Sequence, residues 1–311
     1  MQLIRGLHNI QPEDHGCVLT IGNFDGVHLG HCRVISALVA KAKILHCPAA
    51  VMIFEPQPQE LFAPEKAPAR LTRFRDKYNL LKKLGVDRLI CVNFTVKFAS
   101  ISAQDFVEQF LVKRLGIKHL IIGDDFRFGK NRLGDFALLR QASKQFSFGL
   151  SDTASYKLEN CRISSTAIRQ ALEQDDLDGA AKMLGRAYSI SGRVVHGDKQ
   201  GRKLGFPTAN VLLKRRVSPV SGVYVVKVVL PCKQYEQSYF GVANIGSRPT
   251  VAGIRQQLEV YIFNFNGDLY GQAIEVILLK KLRNEQRFES LEALTAQIKQ
   301  DSEAAKYYLQ L

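Results

Sequence analysis

The first 185 residues alternate short apolar runs with segments whose apolar positions recur at helical spacing. The short, continuously apolar runs predict strands at residues 18–21, 49–54, 89–94 and 120–122. The helical spacing predicts helices at residues 30–43, 71–84 and 102–115, with Ser102 as the cap of the last one. This alternation predicts a Rossmann-like α/β domain, with a parallel sheet, helices on both faces and a ligand site beyond the carboxyl ends of the strands.

After residue 185 the pattern changes to short β-rich runs that are punctuated by glycine and proline. They predict strands at residues 188–195, 222–230, 239–243, 258–265 and 273–279. Five or six such strands favour a small antiparallel β-barrel, and the apolar positions of residues 290–311 predict a C-terminal helix. We therefore expect two domains, residues 1–185 and 186–311, with residues 175–187 as the linker between them.

The composition is that of ordinary globular domains, with 311 residues of which 46% are hydrophobic and 23% are charged. Lys and Arg number 43 against 29 Asp and Glu, and the formal net charge of +14 favours a polyanionic ligand such as a nucleotide. The six cysteines are scattered without the spacing of a zinc site. Because the sequence shows neither a secretory pattern nor a long apolar stretch, we expect a reduced, cytoplasmic setting.

The sequence GNFDGVHLGH, residues 22–31, joins the first predicted strand to the first predicted helix. Its glycines would let backbone N–H groups approach an anion, and the helix N-terminus adds positive potential, so the turn is suited to phosphates. His28 and His31 are three residues apart and would point the same way. The alternative is that this HxGH sequence arises by chance and that each histidine only caps or packs.

The turn is not GxGxxG, and GxxxxGK[ST] occurs nowhere in the chain, which disfavours a dehydrogenase or a P-loop kinase. The HxGH turn instead resembles the nucleotidylyltransferase superfamily, in which a nucleophile attacks the α-phosphate of ATP and pyrophosphate leaves. Residues 163–169, ISSTAIR, place hydroxyls and a guanidinium at a predicted helix start, where they could hold the departing phosphates or form a plain cap. Phe126 and Phe128 could stack on a planar ring or belong to the core.

Several motifs in order resemble one family over essentially the whole chain. They are GNFDGVHLGH, IGDDFRFGKNRLGD and ISSTAIR in the first domain, and GDKQGRKLGFPTAN and GVANIGSRPT in the second. Together they are similar to the bacterial bifunctional riboflavin kinase/FMN adenylyltransferase family, also called FAD synthetase. The resemblance implies conversion of riboflavin to FMN and of FMN to FAD, with ATP as co-substrate, Mg²⁺ as cofactor, and FMN and FAD as products.

The resemblance also implies the residues of the adenylyltransferase site in the first domain. ATP would be held by Gly22, Asn23, Phe24, His28, His31, Ser165, Thr166 and Arg169. Among these, His28 and His31 would be the catalytic residues. Asp125 matches a position that contacts the flavin.

The resemblance also implies the residues of a kinase site in the second domain. ATP and Mg²⁺ would be held by Gly201, Lys203, Gly205, Thr208 and Asn210. Thr208 and Asn210, which face the same way on an extended strand, would be the metal ligands. Glu259 matches the carboxylate that accepts the proton of the riboflavin 5′-hydroxyl, although its alternation with Leu258 and Val260 would also suit a solvated strand position.

The chain departs from the family pattern at Gln57, where many members carry histidine, and at Asn264, where an acid is common. Two other functions stay open. An adenylyltransferase for another nucleotide or acid would not consume riboflavin, and an RNA-binding protein would require aromatic residues interleaved with basic ones on a strand, a pattern that is not clear here. We expect the small-molecule substrates riboflavin, FMN and ATP and no nucleic-acid or membrane partner; the oligomeric state is unknown.

Overall fold

The structure is a computed structural model that describes residues 1–123, 126–153, 157–158, 161–197, 201, 204–213, 217–230, 237–250 and 253–311. Its contacts divide the chain into two compact units. The first unit contains Met1–Pro68 and Phe74–Ser164, and the second contains Ala69–Arg73 and Ser165–Leu311.

The first unit is built on a six-stranded parallel sheet. Its strands are β1 (Gln2–Arg5), β2 (Val18–Ile21), β3 (Ala49–Glu55), β4 (Arg88–Asn93), β5 (His119–Gly123) and β6 (Gly149–Thr153). They are ordered β1-β4-β3-β2-β5-β6, and every neighbouring pair is parallel. The four predicted strands are confirmed as β2 to β5. The edge strands β1 and β6 were missed because they mix polar and apolar residues.

Helices connect these strands. They are α1 (Leu29–Ile44), α2 (Pro58–Phe62), α3 (Phe74–Lys83), α4 (Val96–Ala99), α5 (Ala103–Asp105), a π-helix that continues α5 (Phe106–Arg114), and α6 (Phe136–Gln145). Short 3₁₀ turns lie at Leu7–Asn9, Pro12–Asp14, Pro64–Lys66 and Lys130–Arg132. Two further strands, β7 (Lys157–Leu158) and β8 (Cys161–Arg162), form an antiparallel pair. Ser102 accepts a hydrogen bond from the Asp105 N–H, which confirms it as the cap of α5.

Both faces of the parallel sheet are covered. Successive strand residues point to opposite faces, so the buried strands supply two separate cores. Leu19 and Met52 pack in one core with Leu139 of α6, and Val51 packs in the other with Leu38 of α1. The predicted Rossmann-like architecture is confirmed.

The second unit contains a closed six-stranded barrel. Its strands are β9 (Ser189–Val195), β10 (Thr208–Leu212), β11 (Gly222–Leu230), β12 (Gln237–Thr250), β13 (Gly253–Ile262) and β14 (Ala273–Arg283). Around the barrel they are ordered β10-β13-β12-β11-β14-β9, and all neighbours are antiparallel, which confirms the predicted barrel. Buried aliphatic side chains such as Val211, Val226, Leu258 and Val276 form its core.

Two helices that precede the predicted boundary at residue 185 belong to the second unit: α7 (Ser165–Glu173) and α8 (Leu177–Leu184). Asp176 caps α8, and Gly185 ends it in the left-handed conformation with φ 72°. The apolar face of α8 is buried in the same core cluster as the barrel. The interpretation of residues 175–187 as a linker is therefore wrong. The division into domains of residues 1–185 and 186–311 stays a prediction.

The predicted C-terminal helix is present as α9 (Leu291–Leu309), with Ser290 as its cap. An ion pair ties it to the barrel, because Arg283 of β14 donates to Asp301 of α9 from Nε at 2.9 Å and from Nη2 at 2.8 Å. Gln297 donates to the same carboxylate at 3.0 Å. Asp301 is 6% exposed, and these contacts compensate for the desolvation of its charge.

Replacement of Asp301 by alanine removes the buried carboxylate that pairs with the half-buried guanidinium of Arg283. We expect Asp301→Ala to lower the free energy of unfolding of the barrel unit by about 3 kcal/mol, as measured by urea denaturation of the full chain. Glu303, exposed on the same helix, is the control, and Glu303→Ala is expected to change this free energy by less than about 0.5 kcal/mol. Equal stability of the two variants would contradict the role of the ion pair.

Candidate functional site

The first candidate site lies where the strand order of the parallel sheet reverses. β2 pairs with β3 on one side and with β5 on the other, so the segments that follow β2 and β5 leave neighbouring positions at the same edge of the sheet. Ligands of open α/β sheets bind at such a point. Residues 22–28 follow β2 and lead into α1, which places the predicted phosphate-binding turn there.

The backbone of this turn is strained. Phe24 and Val27 have φ angles of 47° and 41°, in the left-handed region that L-residues avoid, and Gly26 has a φ of 84°. Phe24 and Val27 are 4% and 1% exposed, so packing holds them in place. Such a conformation costs on the order of 1–3 kcal/mol per residue and is typical of ligand-binding segments.

The two histidines of the turn form one unit. His28 caps α1, because its Nδ1 accepts a hydrogen bond from the His31 N–H at 3.2 Å. With Nδ1 as the acceptor, a neutral His28 carries its proton on Nε2, which is then a donor. The two imidazole rings are stacked with centroids 3.6 Å apart, and the Phe24 ring lies 4.9 Å from that of His31. The histidines thus lie side by side, as their spacing predicts.

His31 is an uncharged ring with an unsatisfied nitrogen. Its Nδ1 is buried and has no hydrogen-bond partner among the described residues. Burial lowers the pKa of His31 well below its ordinary value of 6.5, and the nearby His28 and Lys77 lower it further. At pH 7 the ring is therefore neutral and can donate one hydrogen bond. A buried nitrogen without a partner in a strained turn is what a ligand would satisfy.

A buried lysine contacts the same turn from α3. Lys77 is 1% exposed, and its Nζ donates a hydrogen bond to the Asn23 carbonyl at 2.6 Å. Lys77 was not predicted as a site residue, because a lysine on a predicted amphipathic helix is normally solvated.

An aromatic cavity of about 730 Å³ lies in the first unit. Three strands lead into its wall: Phe54 is at the end of β3, Phe94 follows β4, and Phe126 and Phe128 follow β5. Phe62 completes the wall and meets Phe94 edge to face, with ring centroids 5.9 Å apart. The cavity thus opens at the carboxyl ends of the strands, where the fold predicts a ligand.

The core role proposed for Phe126 and Phe128 is confirmed, and their stacking on a planar ring stays a prediction. Their rings are stacked with centroids 5.5 Å apart and line the cavity. Phe128 is 7% exposed and belongs to the core, and Phe126 packs against that core. Three cationic side chains also line the cavity, namely Arg127, Lys130 and Arg132.

Four further residues were predicted for the adenylyltransferase site, and the structure describes three of them. Asp125 lies outside the described residues. Ser165 is the first residue of α7, Thr166 is exposed, and both belong to the second unit. Arg169 is half-buried on the same helix, and its Nε donates to the Ala69 carbonyl at 2.6 Å. Their phosphate contacts stay predictions.

The second candidate site lies on three neighbouring strands of the barrel. Glu259 of β13 is in register with Asn210 of β10 on one side and with Asn244 of β12 on the other. Cross-strand partners carry their side chains on one face, so two amides flank the carboxylate. Thr208 is two residues from Asn210 on the same strand and shares that face, as its spacing predicts.

Gln257 connects the members of this site. Its Nε2 donates to Asn210 Oδ1 and to Glu259 Oε1, the latter at 3.1 Å. Asn210, Asn244, Glu259 and Thr208 line a cavity of about 230 Å³ in the second unit. Glu259 is thus a half-buried cavity residue rather than a solvated strand position.

The glycines of the kinase motif have steric roles beside this cavity. The Phe206 N–H donates a hydrogen bond to the Gly201 carbonyl at 2.8 Å, which brings the two residues close together. A Cβ at Gly201 would overlap the carbonyl oxygen of Phe206. Gly205 has a φ of 85°, which a side chain would disfavour. Lys203 lies outside the described residues.

Asn244 and Gln257 were missed by the sequence analysis. Asn244 Oδ1 is buried and finds no hydrogen-bond partner in the part of the chain that the structure describes. The sequence nevertheless contained a signal for each of these two residues. Gln257 precedes Glu259 by two residues, the spacing of one strand face, and Asn244 belongs to the motif GVANIGSRPT.

Comparison with known proteins decides the family. The profile of FAD synthetases matches residues 10–167, and that of riboflavin kinases matches residues 184–309. The bifunctional riboflavin kinase/FMN adenylyltransferase of Escherichia coli (strain K12) is 54% identical, over 100% of this chain and 99% of that protein. The protein of the same name from Haemophilus influenzae is 52% identical, over 99% of both chains. That from Pseudomonas fluorescens is 50% identical, over 98% of this chain and 97% of that protein.

The chain belongs to the bifunctional riboflavin kinase/FMN adenylyltransferase family. The resemblance found in the sequence motifs is thereby confirmed. A crystal structure from Streptococcus pneumoniae, described as that of a macrolide-efflux protein, is similar with a TM-score of 0.79 and 31% identity, over 98% of this chain and 99% of that one. In this family member, no helix within the described ranges is long and apolar enough to cross a membrane.

The environment of His31 predicts its titration. An unfolded chain would bind a proton at this ring near pH 6.5, whereas the folded protein resists protonation because burial, His28 and Lys77 disfavour the charge. We expect the ring signals of His31 in an NMR titration to stay unchanged from pH 8 to pH 6.5 and to shift only at lower pH. A midpoint at or above 6.5 would contradict the described environment.

Proposed function

We propose that the two candidate sites catalyse two successive reactions on a flavin. The barrel transfers the γ-phosphoryl group of ATP to riboflavin, and the parallel-sheet unit supplies the histidine turn and the aromatic cavity for transfer of an adenylyl group from ATP to FMN. The observation that carries this division is that two unlike polar constellations lie in different compact units. The barrel unit holds a carboxylate between two amides, and the parallel-sheet unit holds a stacked histidine pair.

In the kinase reaction, we assign proton acceptance to Glu259. Its carboxylate takes the proton of the riboflavin 5′-hydroxyl as that oxygen attacks the γ-phosphorus, and the bond from the γ-phosphorus to its bridging oxygen breaks to release ADP. Gln257 supports this role, because its hydrogen bonds to Asn210 and Glu259 fix the orientation of the carboxylate. Half-burial keeps the carboxylate partly shielded from water.

The same site has the donor set for Mg²⁺. The ion prefers oxygen ligands and commonly binds through one or two protein oxygens together with substrate phosphates. Thr208 and Asn210 offer a hydroxyl and an amide oxygen beside Glu259, and the unsatisfied Oδ1 of Asn244 is a further oxygen in the same cavity. When bound, the ion would neutralise charge on the ATP phosphates.

In the adenylyl transfer, a phosphate oxygen of FMN attacks the α-phosphorus of ATP and pyrophosphate leaves. The FMN phosphate is already anionic, so the protein needs no base; it has to hold the phosphates and stabilise developing charge. Nε2–H of His28, the N–H of neutral His31 and the N-terminus of the 16-residue helix α1 can do this. By family resemblance, Ser165, Thr166 and Arg169 hold the departing phosphates.

The aromatic cavity of the first unit is the proposed site of the FMN ring. Its 730 Å³ volume lies in the range of small-molecule sites, and its phenylalanine wall is suited to a planar apolar ring. Asp125, the predicted flavin contact, directly precedes Phe126 of this wall. We also propose a cytoplasmic location, which is supported by the use of ATP and by the free thiols of Cys17 and Cys47.

Reciprocal variants test the division of labour. We expect Glu259→Gln to lower the rate of FMN formation from riboflavin roughly 100-fold or more, because it loses the proton acceptor, while FAD is still formed from supplied FMN. His31→Ala is expected to lower FAD formation by about 10²-fold and to let FMN accumulate. Both rates would be measured by chromatography of the flavins.

Equal loss of both activities in either folded variant would contradict two separate sites. If the wild-type protein consumed ATP and an added nucleotide but left riboflavin untouched, the alternative of an adenylyltransferase with another substrate would be supported. Binding of RNA that weakens steeply with salt, without flavin turnover, would support the third alternative.

Truncation of the cavity wall tests the flavin site. Phe62 is 64% exposed, so Phe62→Ala should spare the core while it removes one face of the cavity. We expect the KM for FMN in adenylyl transfer to rise about three- to tenfold, and the kinase KM for riboflavin to stay constant. Leu133, 76% exposed and outside the cavity lining, provides the control Leu133→Ala. An unchanged KM for FMN in Phe62→Ala would place the ring elsewhere.

A further inference from the structure

Lys77 is a buried cation that the reactions described above do not use. It is the fourth residue of α3, is 1% exposed, and is among the largest fully buried side chains of the described residues. Full burial of lysine is rare because the ammonium group loses its hydration. The other lysines of α3, Lys82 and Lys83, are exposed in its last turn. Lys77 therefore needs an explanation beyond the solubility of a helix.

Lys77 contacts the backbone of the predicted phosphate-binding turn. Its Nζ donates to the Asn23 carbonyl at 2.6 Å, a short charge-assisted hydrogen bond. The C=O and N–H of a trans peptide point in opposite directions, so this bond also fixes the direction of the Phe24 N–H, on the side away from Lys77.

The Phe24 N–H is placed as a ligand-binding donor. It donates no hydrogen bond to any described residue, although Phe24 is 4% exposed and has the strained φ of 47°. A buried backbone donor normally has a partner, which ATP phosphate would supply here. Phe24 is also one of the residues that the family resemblance predicts to hold ATP.

The charge of Lys77 acts on the same site. It is one of the groups that lower the pKa of His31, the others being burial and His28. A fixed positive charge close to the histidine pair raises the local potential for a polyphosphate without adding a group that must lose water when ATP binds.

We propose that Lys77 is a positioning residue for adenylyl transfer, which holds the Asn23–Phe24 peptide so that the Phe24 N–H faces the phosphates of ATP. This assignment rests on the proposed adenylyltransferase function. Lys77 acts through the backbone of the turn and is not itself a catalytic residue.

The test compares Lys77→Met, which keeps most of the length of the side chain without its charge or donor, with Lys82→Met on the exposed side of the same helix. We expect Lys77→Met to raise the Kd and KM for ATP in adenylyl transfer roughly tenfold or more, and the KM for ATP in the kinase reaction to stay constant. Lys82→Met is expected to match the wild type in both reactions. Thermal unfolding is recorded in parallel so that rates are compared for folded protein.

An NMR titration of His31 supplies a readout that stability alone would not change. Loss of the ammonium charge should raise the pKa of His31 relative to the wild type, whereas Lys82→Met should leave it unchanged. If Lys77→Met does not fold, Lys77→Gln, which keeps one donor without the charge, is measured in the same way.

Wild-type ATP affinity together with an unchanged His31 titration in either folded variant would overturn the proposal. Failure of both variants to fold would also overturn it, because Lys77 would then serve the fold as a whole. A wild-type protein that makes no FAD from FMN would instead reject the proposed function, so the two failures are distinguishable.

Discussion

Both candidate sites depend on strand pairing in a fixed register. In the barrel, Glu259 lies between Asn210 and Asn244 only because β10, β13 and β12 pair as they do. A slip of one residue would turn the carboxylate toward the opposite face and its apolar neighbours toward the cavity. The burial of Leu258 and Val260 therefore fixes the site as well as the fold. In the parallel sheet, the order around β2 similarly determines which turns meet at its edge.

Unsatisfied polar groups are concentrated at these sites. Among the described residues, the buried side-chain atoms without a hydrogen-bond partner are His31 Nδ1, Gln57 Nε2 and Asn244 Oδ1. His31 lies in the first turn of α1, next to the predicted phosphate-binding turn, Asn244 lines the barrel cavity, and Gln57 precedes Pro58 of the aromatic cavity wall. Buried polar atoms are otherwise paired, so ligands that complete them offer a physical reason for all three. Gln57 thus keeps a polar group at the position where many family members carry histidine.

The sequence predicted the parts of the fold that local patterns encode. Continuous apolar runs located β2 to β5, and glycine-punctuated runs located most of the barrel. The edge strands β1 and β6 and the packed helix α8 depend on partners distant in sequence, and no local pattern separates them from loop or linker.

The candidate sites also depend on residues that are distant from one another in the sequence. The motifs predicted His28, Glu259 and their neighbours, whereas the aromatic cavity is assembled from several separate segments of the chain. The burial of Lys77 is a tertiary property that its own sequence neighbourhood does not reveal.

The proposed division of function requires that ATP is cleaved at its γ-phosphorus in the barrel site and at its α-phosphorus in the parallel-sheet unit. The most direct test incubates the protein with riboflavin and Mg²⁺ and with ATP that is radiolabelled at either phosphorus, followed by separation of the flavins. We expect the γ-label to enter both FMN and FAD, and the α-label to enter FAD alone. Appearance of the α-label in FMN, or absence of the γ-label from FMN, would contradict it.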